Sequence, residues 1–318
     1  MELIRAGAAA NVPAFVARAG QQASISFLEL FVSHIRNPNT RRAYGRAVGD
    51  FMTWCGESNV PSIAHVQPLH VAAWVEMLTD SHSAPTAKQR LAAVRMLFDW
   101  LVVKQVVPVN PAASVRGPSH SVKRGKTPVL EPSEARALLD AIDCTTIGGL
   151  RDRALIGLMV YSFARIGAVT GMKVEDVYTQ SRRLWVRLHE KGGKRHEMPC
   201  HHNLEEYLHA YIDAAGIAGD AKGPLFRTID RASKTLSRRP LPQANTYAMV
   251  QRRALAADIG TKIGNHTFRA TGITAYLKNG GTLERAATMA NHSSTRTTQL
   301  YDRRSDEVTL DEVERVLI

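Results

Sequence analysis

LWVRLHEKGGKRHEMP, residues 184–199, decides how the rest of the chain is read. Leu184, Val186 and Leu188 alternate with Trp185, Arg187 and His189, the two-residue period of a strand with one buried face. The double glycine of KGGK supplies a tip, RHEMP returns, and Lys191 and Lys194 flank the turn of a hairpin. Around this hairpin the period is helical. Upstream, EPSEARALLDAID opens a helix at Pro132, and RDRALIGLMVYSFA (151–164) is apolar enough to be a buried one. Downstream, LEEYLHAYIDAAG, ANTYAMVQRRALAADIG, HTFRATGITAYLKNGG, TLERAATMANH and the terminal DEVTLDEVERVLI all read as helices. One small antiparallel sheet among helices, without regular alternation, argues for a mainly α fold and against a doubly wound nucleotide-binding one.

The first half has helical periodicity only. ISFLELFVSHIR (25–36) carries an apolar face of Phe27, Leu28, Leu30, Phe31 and Ile35. Asn39 is expected to cap a second helix with Tyr44, Val48, Phe51 and Met52 on one stripe. Pro68 and Pro85 open two more, the last turning Leu91, Val94, Leu97, Phe98 and Leu101 inward and leaving Lys88, Arg90 and Arg95 wet. Residues 25–106 therefore form a helical module. Before it, residues 1–24 read as a poorly ordered Ala-rich extension broken by Arg5, Asn11, Pro13 and Arg18, not as a signal peptide. After it, residues 107–128 hold prolines, glycines and cations without a period, which makes this basic stretch the domain boundary. RGKTP within it looks at first like a phosphate-binding loop. The motif's first glycine would fall at His120, and Pro128 interrupts the helix that should follow, so an ATP site is rejected. A second domain spans 129–304, and residues 305–318 form a tail with an apolar side.

At 318 residues the chain has room for two cores, and no apolar run approaches the roughly 20 residues that span a bilayer. Cys55, Cys144 and Cys200 lack pair spacing, as in a reducing cytosol. His196, Cys200, His201 and His202 crowd one loop, but without paired ligand spacing they are read as a polar connection and not a zinc site. The net charge of +12 favours a polyanionic partner, most often nucleic acid.

Several motifs suit chemistry on a phosphate. In HTFR, His266 and Arg269 stand three residues apart, and an Asn265 cap would put both on one side of a positive helix end. Arg165 follows a buried helix directly, where an unpaired cation is costly, so it is expected to face a cleft and an anion. NHSSTRTTQLYDRR (291–304) sets His292 nine residues before Tyr301, beside Arg296, Arg303 and Arg304. A phenol with a reference pKa near 10 is about one part in a thousand ionised at pH 7. Cations and a proton acceptor can close that gap of roughly 4 kcal/mol, after which the oxygen can attack a phosphodiester. Each of these residues alone also fits an ordinary surface or packing role. Their joint order is what carries weight.

That order resembles the tyrosine recombinases, the phage integrase or Xer-like family: ARIG with Arg165, the KGGK hairpin with Lys191, HTFR, and ANHSSTRTTQLYDRR with His292 and Tyr301. NTRRAYGRAVGDFMTWC and VNPAASVRGP extend the likeness over most of residues 25–304. The resemblance implies a two-domain DNA clamp, with a helical core-binding domain and a mixed α/β catalytic domain. It implies attack by Tyr301 on DNA, a 3′-phosphotyrosyl link, a free 5′-hydroxyl, and no need of metal or ATP. Arg165 and Arg269 would clamp the non-bridging oxygens, His292 would add a third hydrogen bond, and His266 would accept the tyrosine proton. Lys191, with Lys194 as runner-up, would protonate the leaving 5′-oxygen. Arg41, Arg42, Lys88, Arg90, Lys123, Arg124 and Lys194 are the further candidate DNA contacts.

The implied partners are double-stranded DNA with inverted-repeat core sites and three further copies of the chain, in a tetramer on two paired sites, with accessory proteins left open. The implied setting is a prokaryotic cytoplasm, at the nucleoid, and integration, excision, resolution and transposition all use this machinery. The tail would dock on a neighbouring copy. One position departs from the pattern: the acid often found three residues after the first arginine is Ala168 here, with Glu175 or Asp176 as substitutes. A non-catalytic DNA-binding protein of the same shape and a topoisomerase-like strand transferase are the rival readings.

Overall fold

The computed structural model describes residues 12–121, 125–190, 193–230, 232–302 and 314. Lys123, Arg124, Lys191 and, Glu314 apart, the tail after Asp302 lie outside the described residues. Among those described, no helix is long and apolar enough to cross a membrane. The chain divides into two compact units, residues 1–121 and 122–318.

The first unit is helical: α1 (Ala14–Ala17), α2 (Gln21–Glu29) running into a π-helical turn at Leu30–His34, α3 (Pro38–Glu57), α4 (Pro68–Ser81) and α5 (Ala84–Val103). Every residue expected to face inward from α5 is buried. Phe51 meets Trp74 and Phe98 edge-on, with centroids 5.0 and 6.4 Å apart, the arrangement ring quadrupoles favour. Four expectations need correction. The cap of α3 is Asn37 and not Asn39: its Oδ1 accepts the N–H groups of Asn39 and Thr40 at 2.9 and 3.2 Å, and Pro38 takes the first helical position. The N-terminal extension is structured from residue 12 onward, because Phe15, Val16 and Ala23 are buried in this unit's core. Arg95 is not a wet cation, since its guanidinium donates to the carbonyls of Ala112 (3.1 Å) and Val115. Arg90 is half-buried and paired with Asp50 at 2.6 Å.

The second unit begins with α6 (Pro132–Asp140), α7 (Ile147–Tyr161) and α8 (Ile166–Thr170). A three-stranded antiparallel sheet follows: β1 (Val177–Gln180), β2 (Arg183–His189) and β3 (Arg195–Pro199), in the order β1-β2-β3. Val186 pairs with Met198 and Leu188 with His196, while Leu184, Val186 and Leu188 are buried as their alternation predicts. Next come α9 (His202–Ala215), β4 (Arg227–Ile229), β5 (Leu236–Pro240), α10 (Gln243–Ala256), α11 (Asn265–Lys278), α12 (Leu283–Met289) and α13 (Thr295–Gln299). The expectation of one sheet is therefore short by one: β4 and β5 pair as a second, antiparallel sheet.

Two features position the site. Helix α11 packs so closely on α7 that a Cβ at Gly272 would lie 2.1 Å from the Val160 carbonyl oxygen, so only glycine permits this approach. Beneath α7, a buried ionic brace ties three elements together. Arg151 donates to Asp152 Oδ1 at 3.0 and 2.7 Å and to the Arg227 carbonyl at 2.9 Å. Arg253 from α10 grips the other Asp152 oxygen at 3.1 and 2.8 Å.

Candidate active site

Five of the expected catalytic side chains, Arg165, His266, Arg269, His292 and Tyr301, are linked into one cluster by contacts or charge. Helix α7 ends at Tyr161, and Phe163 takes a left-handed conformation (φ 54°) that turns the chain so that Arg165 caps α8. Its guanidinium Nη1 donates to Glu190 Oε2 at 2.5 Å, with the Arg165 side chain 35% exposed and that of Glu190 only 3%. The proposed substitutes for the missing acid are elsewhere. Glu175 pairs with Lys222 at 2.7 Å, and Asp176 accepts from the Lys173 N–H and faces His189. Glu190 is the carboxylate that pairs with Arg165, and the reading of the sequence missed it. The available signal was a lone carboxylate at the base of a basic hairpin.

Helix α11 starts one residue earlier than expected. Gly264 is its cap, with Thr267 Oγ1 accepting the Gly264 N–H at 3.1 Å, so Asn265 is the first helical residue and not the cap. One turn on, Arg269 is 1% exposed. Its guanidinium donates to the carbonyls of Phe163 and Ala290 (2.6 Å) and to His292 Nε2 at 2.6 Å. Burial lowers its pKa to about 10, helped by the Arg165 charge and opposed by Tyr301 and Glu190. His266 sits at the exposed rim. Crowding of that rim, then the charges of Arg269 and Arg165, push its imidazole below the ordinary value, so the neutral, proton-accepting form is favoured.

His292 has its pKa lowered to about 4 by burial, then by Arg269 and Arg165. Arginine can only donate, so Nε2 must be the lone-pair nitrogen and Nδ1 must carry the hydrogen. That hydrogen is directed at Thr298 Oγ1, 2.8 Å away. The expected third hydrogen bond to a phosphate is therefore not available from His292 in this arrangement, where the ring acts as a strut between Arg269 and α13. The other side of the strut is Tyr301, whose ring lies nearly parallel to the imidazole (13°, centroids 5.8 Å apart). Tyr301 is half-buried against the apolar cluster of Phe163, Ile273 and Leu277. Its carbonyl accepts from Thr274 Oγ1 at 2.8 Å and its N–H donates to Thr298 at 2.9 Å, which fixes the segment to α11. The carbonyl of Leu300 accepts the Gly125 N–H at 3.0 Å, a further tie from the basic segment. Thr274 and Thr298 were not foreseen; hydroxyls on helices carry no distinctive spacing.

Lys191 lies outside the described residues, while Lys194 is exposed and its carbonyl accepts the Glu190 N–H at 2.8 Å. Among the other candidate DNA contacts, Arg42 and Lys88 are exposed. Arg41 donates twice to the Ile35 carbonyl at 3.0 and 2.8 Å and so closes the turn before α3. Arg90 is engaged by Asp50 as described.

Comparison with known proteins bears on family and fold. The model of the phage integrase family matches residues 128–307, and that of the phage integrase N-terminal SAM-like domain matches residues 26–105. The tyrosine recombinase XerC of Chlamydia muridarum is 30% identical over 227 residues, covering 71% of this chain and 69% of that protein. The protein of the same name from Myxococcus xanthus is 26% identical over 299 residues, covering 91% and 95%. Among solved structures, the XerH site-specific recombinase bound to a palindromic difH substrate, in a post-cleavage complex, superposes with a TM-score of 0.70 at 16% identity. That match covers 93% of this chain and 84% of XerH, and it shows a shared fold.

Proposed function

The chain belongs to the phage integrase family, and on that premise we propose that it recombines specific DNA sites with Tyr301 as nucleophile. Arg165 and Arg269 bind the non-bridging oxygens of the target phosphate and stabilise the charge that builds on them. The Tyr301 hydroxyl gives its proton to neutral His266 and its oxygen bonds to phosphorus. The bond to the 5′-oxygen breaks, and that oxygen leaves as a hydroxyl on taking a proton from Lys191. The 3′-phosphotyrosyl ester keeps the energy of the broken bond, so a partner strand's 5′-hydroxyl can reverse the step and complete an exchange.

The observation that carries this reading is the Arg269–His292–Tyr301 series. A buried cation, a neutral imidazole and a tyrosine are joined at 2.6 Å and by ring contact, so the tyrosine is held beside an anion-binding group. Residues 25–106 would act as the core-binding domain and 129–304 as the catalytic domain, joined by 107–128 across the duplex. Two inverted half-sites bring two copies to each site, and two sites make a tetramer, with the tail after residue 304 docking on a neighbouring copy. The setting is the cytoplasm of a prokaryote, at the nucleoid.

The test is a protein–DNA adduct that survives SDS, formed on nicked or mismatched inverted repeats from DNA flanking the gene. Wild type is expected to form it and Tyr301→Phe to form none. Specific binding and pairing of sites without any adduct would instead support a non-catalytic DNA-binding protein.

A further inference from the structure

We infer that Glu190 is the positioning residue for Arg165, standing in from the hairpin for the acid that Ala168 cannot provide. The inference rests on the reading of Arg165 as a phosphate clamp. Ala168 is one turn along α8 from Arg165, buried, and ends in a methyl, so this helix offers its arginine no carboxylate there. The carboxylate comes from 25 residues further on and from a different element. At 3% side-chain exposure it is poorly hydrated, and a carboxylate there needs a close cationic partner. Arg165 Nη1, 2.5 Å away, is that partner.

The contact aims the arginine without consuming it. A guanidinium has five N–H donors in a planar fork, and Glu190 receives one of them. The arginine side chain stays 35% exposed, so it is not sealed off from an incoming oxyanion. The same carboxylate also eases the electrostatic strain between two neighbouring cations, since Arg269 feels the opposed charges of Arg165 and Glu190.

The backbone of Glu190 adds a second link. Its N–H donates to the Lys194 carbonyl at 2.8 Å, which closes the base of the KGGK turn, and the next residue is Lys191. A single residue therefore ties the phosphate-binding arginine to the hairpin that carries the proposed general acid.

Glu190→Gln preserves size and removes the charge. On a nicked duplex carrying the site mapped through the Tyr301 adduct, single-turnover adduct formation at saturating protein should slow by about 10- to 100-fold, the scale of losing one hydrogen bond to a charged group. Affinity for that duplex should stay within about threefold, because a single interaction among many phosphate contacts is changed. Rates are taken on bound complex, so a smaller folded fraction does not alter them. Two further variants separate positioning from a general structural role. In an Arg165→Lys background, Glu190→Gln should cost less than about threefold, since coupled residues lose additivity. Adding Ala168→Glu to Glu190→Gln should restore part of the lost rate. Wild-type or faster cleavage by Glu190→Gln, weaker binding as its only effect, or an undiminished loss in the Arg165→Lys background would overturn the inference. A wild-type protein that forms no Tyr301 adduct would remove the recombinase reading and this inference with it. An adduct formed equally well by Glu190→Gln would remove this inference alone.

Discussion

Arg151 and Arg269 are both buried arginines on helices of the second unit, 6% and 1% exposed, yet they are satisfied in different ways. Arg151 faces the Asp152 carboxylate, which also receives Arg253, so cation and anion are matched inside the protein. Arg269 bonds two backbone carbonyls and a neutral imidazole, and its side-chain hydrogen bonds reach no carboxylate; Glu190 bonds Arg165 instead. Neutral dipoles orient a guanidinium and leave its charge uncancelled. A brace cancels charge within the fold, whereas the proposed phosphate site leaves the charge of Arg269 without a hydrogen-bonded carboxylate. Buried arginine as such does not mark a functional site; the kind of acceptor it faces does.

The sharpest way to break the comparison is to remove the anion from the brace. Asp152→Ala leaves Arg151 and Arg253 facing each other without a counter-charge, and breaking such a buried pair typically costs about 3–5 kcal/mol. Urea unfolding should show that loss. The rate of adduct formation on bound complex should change little, because none of the proposed catalytic residues bonds Asp152 in the described structure. A stable Asp152→Ala protein would mean that the brace is not one.

Arg269→Met makes the opposite change. It should slow adduct formation by about 3–4 kcal/mol of transition-state stabilisation, the scale seen when one oxyanion donor is lost. The carbonyls of Phe163 and Ala290 lose a donor, at about 1–3 kcal/mol, while the cost of keeping an uncancelled charge out of water is relieved. Stability to urea should therefore stay within about 1 kcal/mol of wild type, as the two effects offset. A loss as large as that of Asp152→Ala would show Arg269 to be a second brace.

The sequence displayed the two kinds of arginine unequally, for physical reasons. Local periodicity was enough for the core of the first unit, where Leu91, Val94, Leu97, Phe98 and Leu101 repeat at helical spacing and are all buried. The hairpin was legible because alternation and a double glycine are also local. The pairing of β4 with β5 was not: Arg227, Thr228, Ser237, Arg238 and Arg239 are polar, and nothing local distinguishes them from a loop. The helix caps slipped by one or two residues, since NPN and GNH each offer two candidates and only Pro38 or Thr267 decides between them. At the site, residue types and their order pointed to Arg165, His266, Arg269, His292 and Tyr301, which the structure brings into one cluster. The acid for Arg165 lay 25 residues away on another element, beyond the reach of spacing. The role of His292 as a strut depends on which ring nitrogen faces arginine, and no sequence carries that.

The smallest expected effect is on pH dependence, and it separates the two histidines of the site. His266 is held below the ordinary histidine value of 6.5 by partial loss of hydration and then by the charges of Arg269 and Arg165. As proton acceptor it must be neutral, so adduct formation should fall on the acid side with a midpoint below 6.5 and by no more than about tenfold per pH unit, the limit for one titrating group. His266→Gln should flatten that limb at a lower rate; an unchanged limb would assign proton acceptance to another group. His292 should instead appear in stability. Its folded-state value of about 4 lies below the ordinary 6.5, so the unfolded chain binds this proton first as pH falls. The contribution is fully present above about pH 6.5 and is lost as pH drops towards 4. Measuring rate and urea stability over the same pH range in wild type, His266→Gln and His292→Gln tests this division. If acid stability is unchanged in His292→Gln, the ring is not held neutral by its burial and the two arginines beside it.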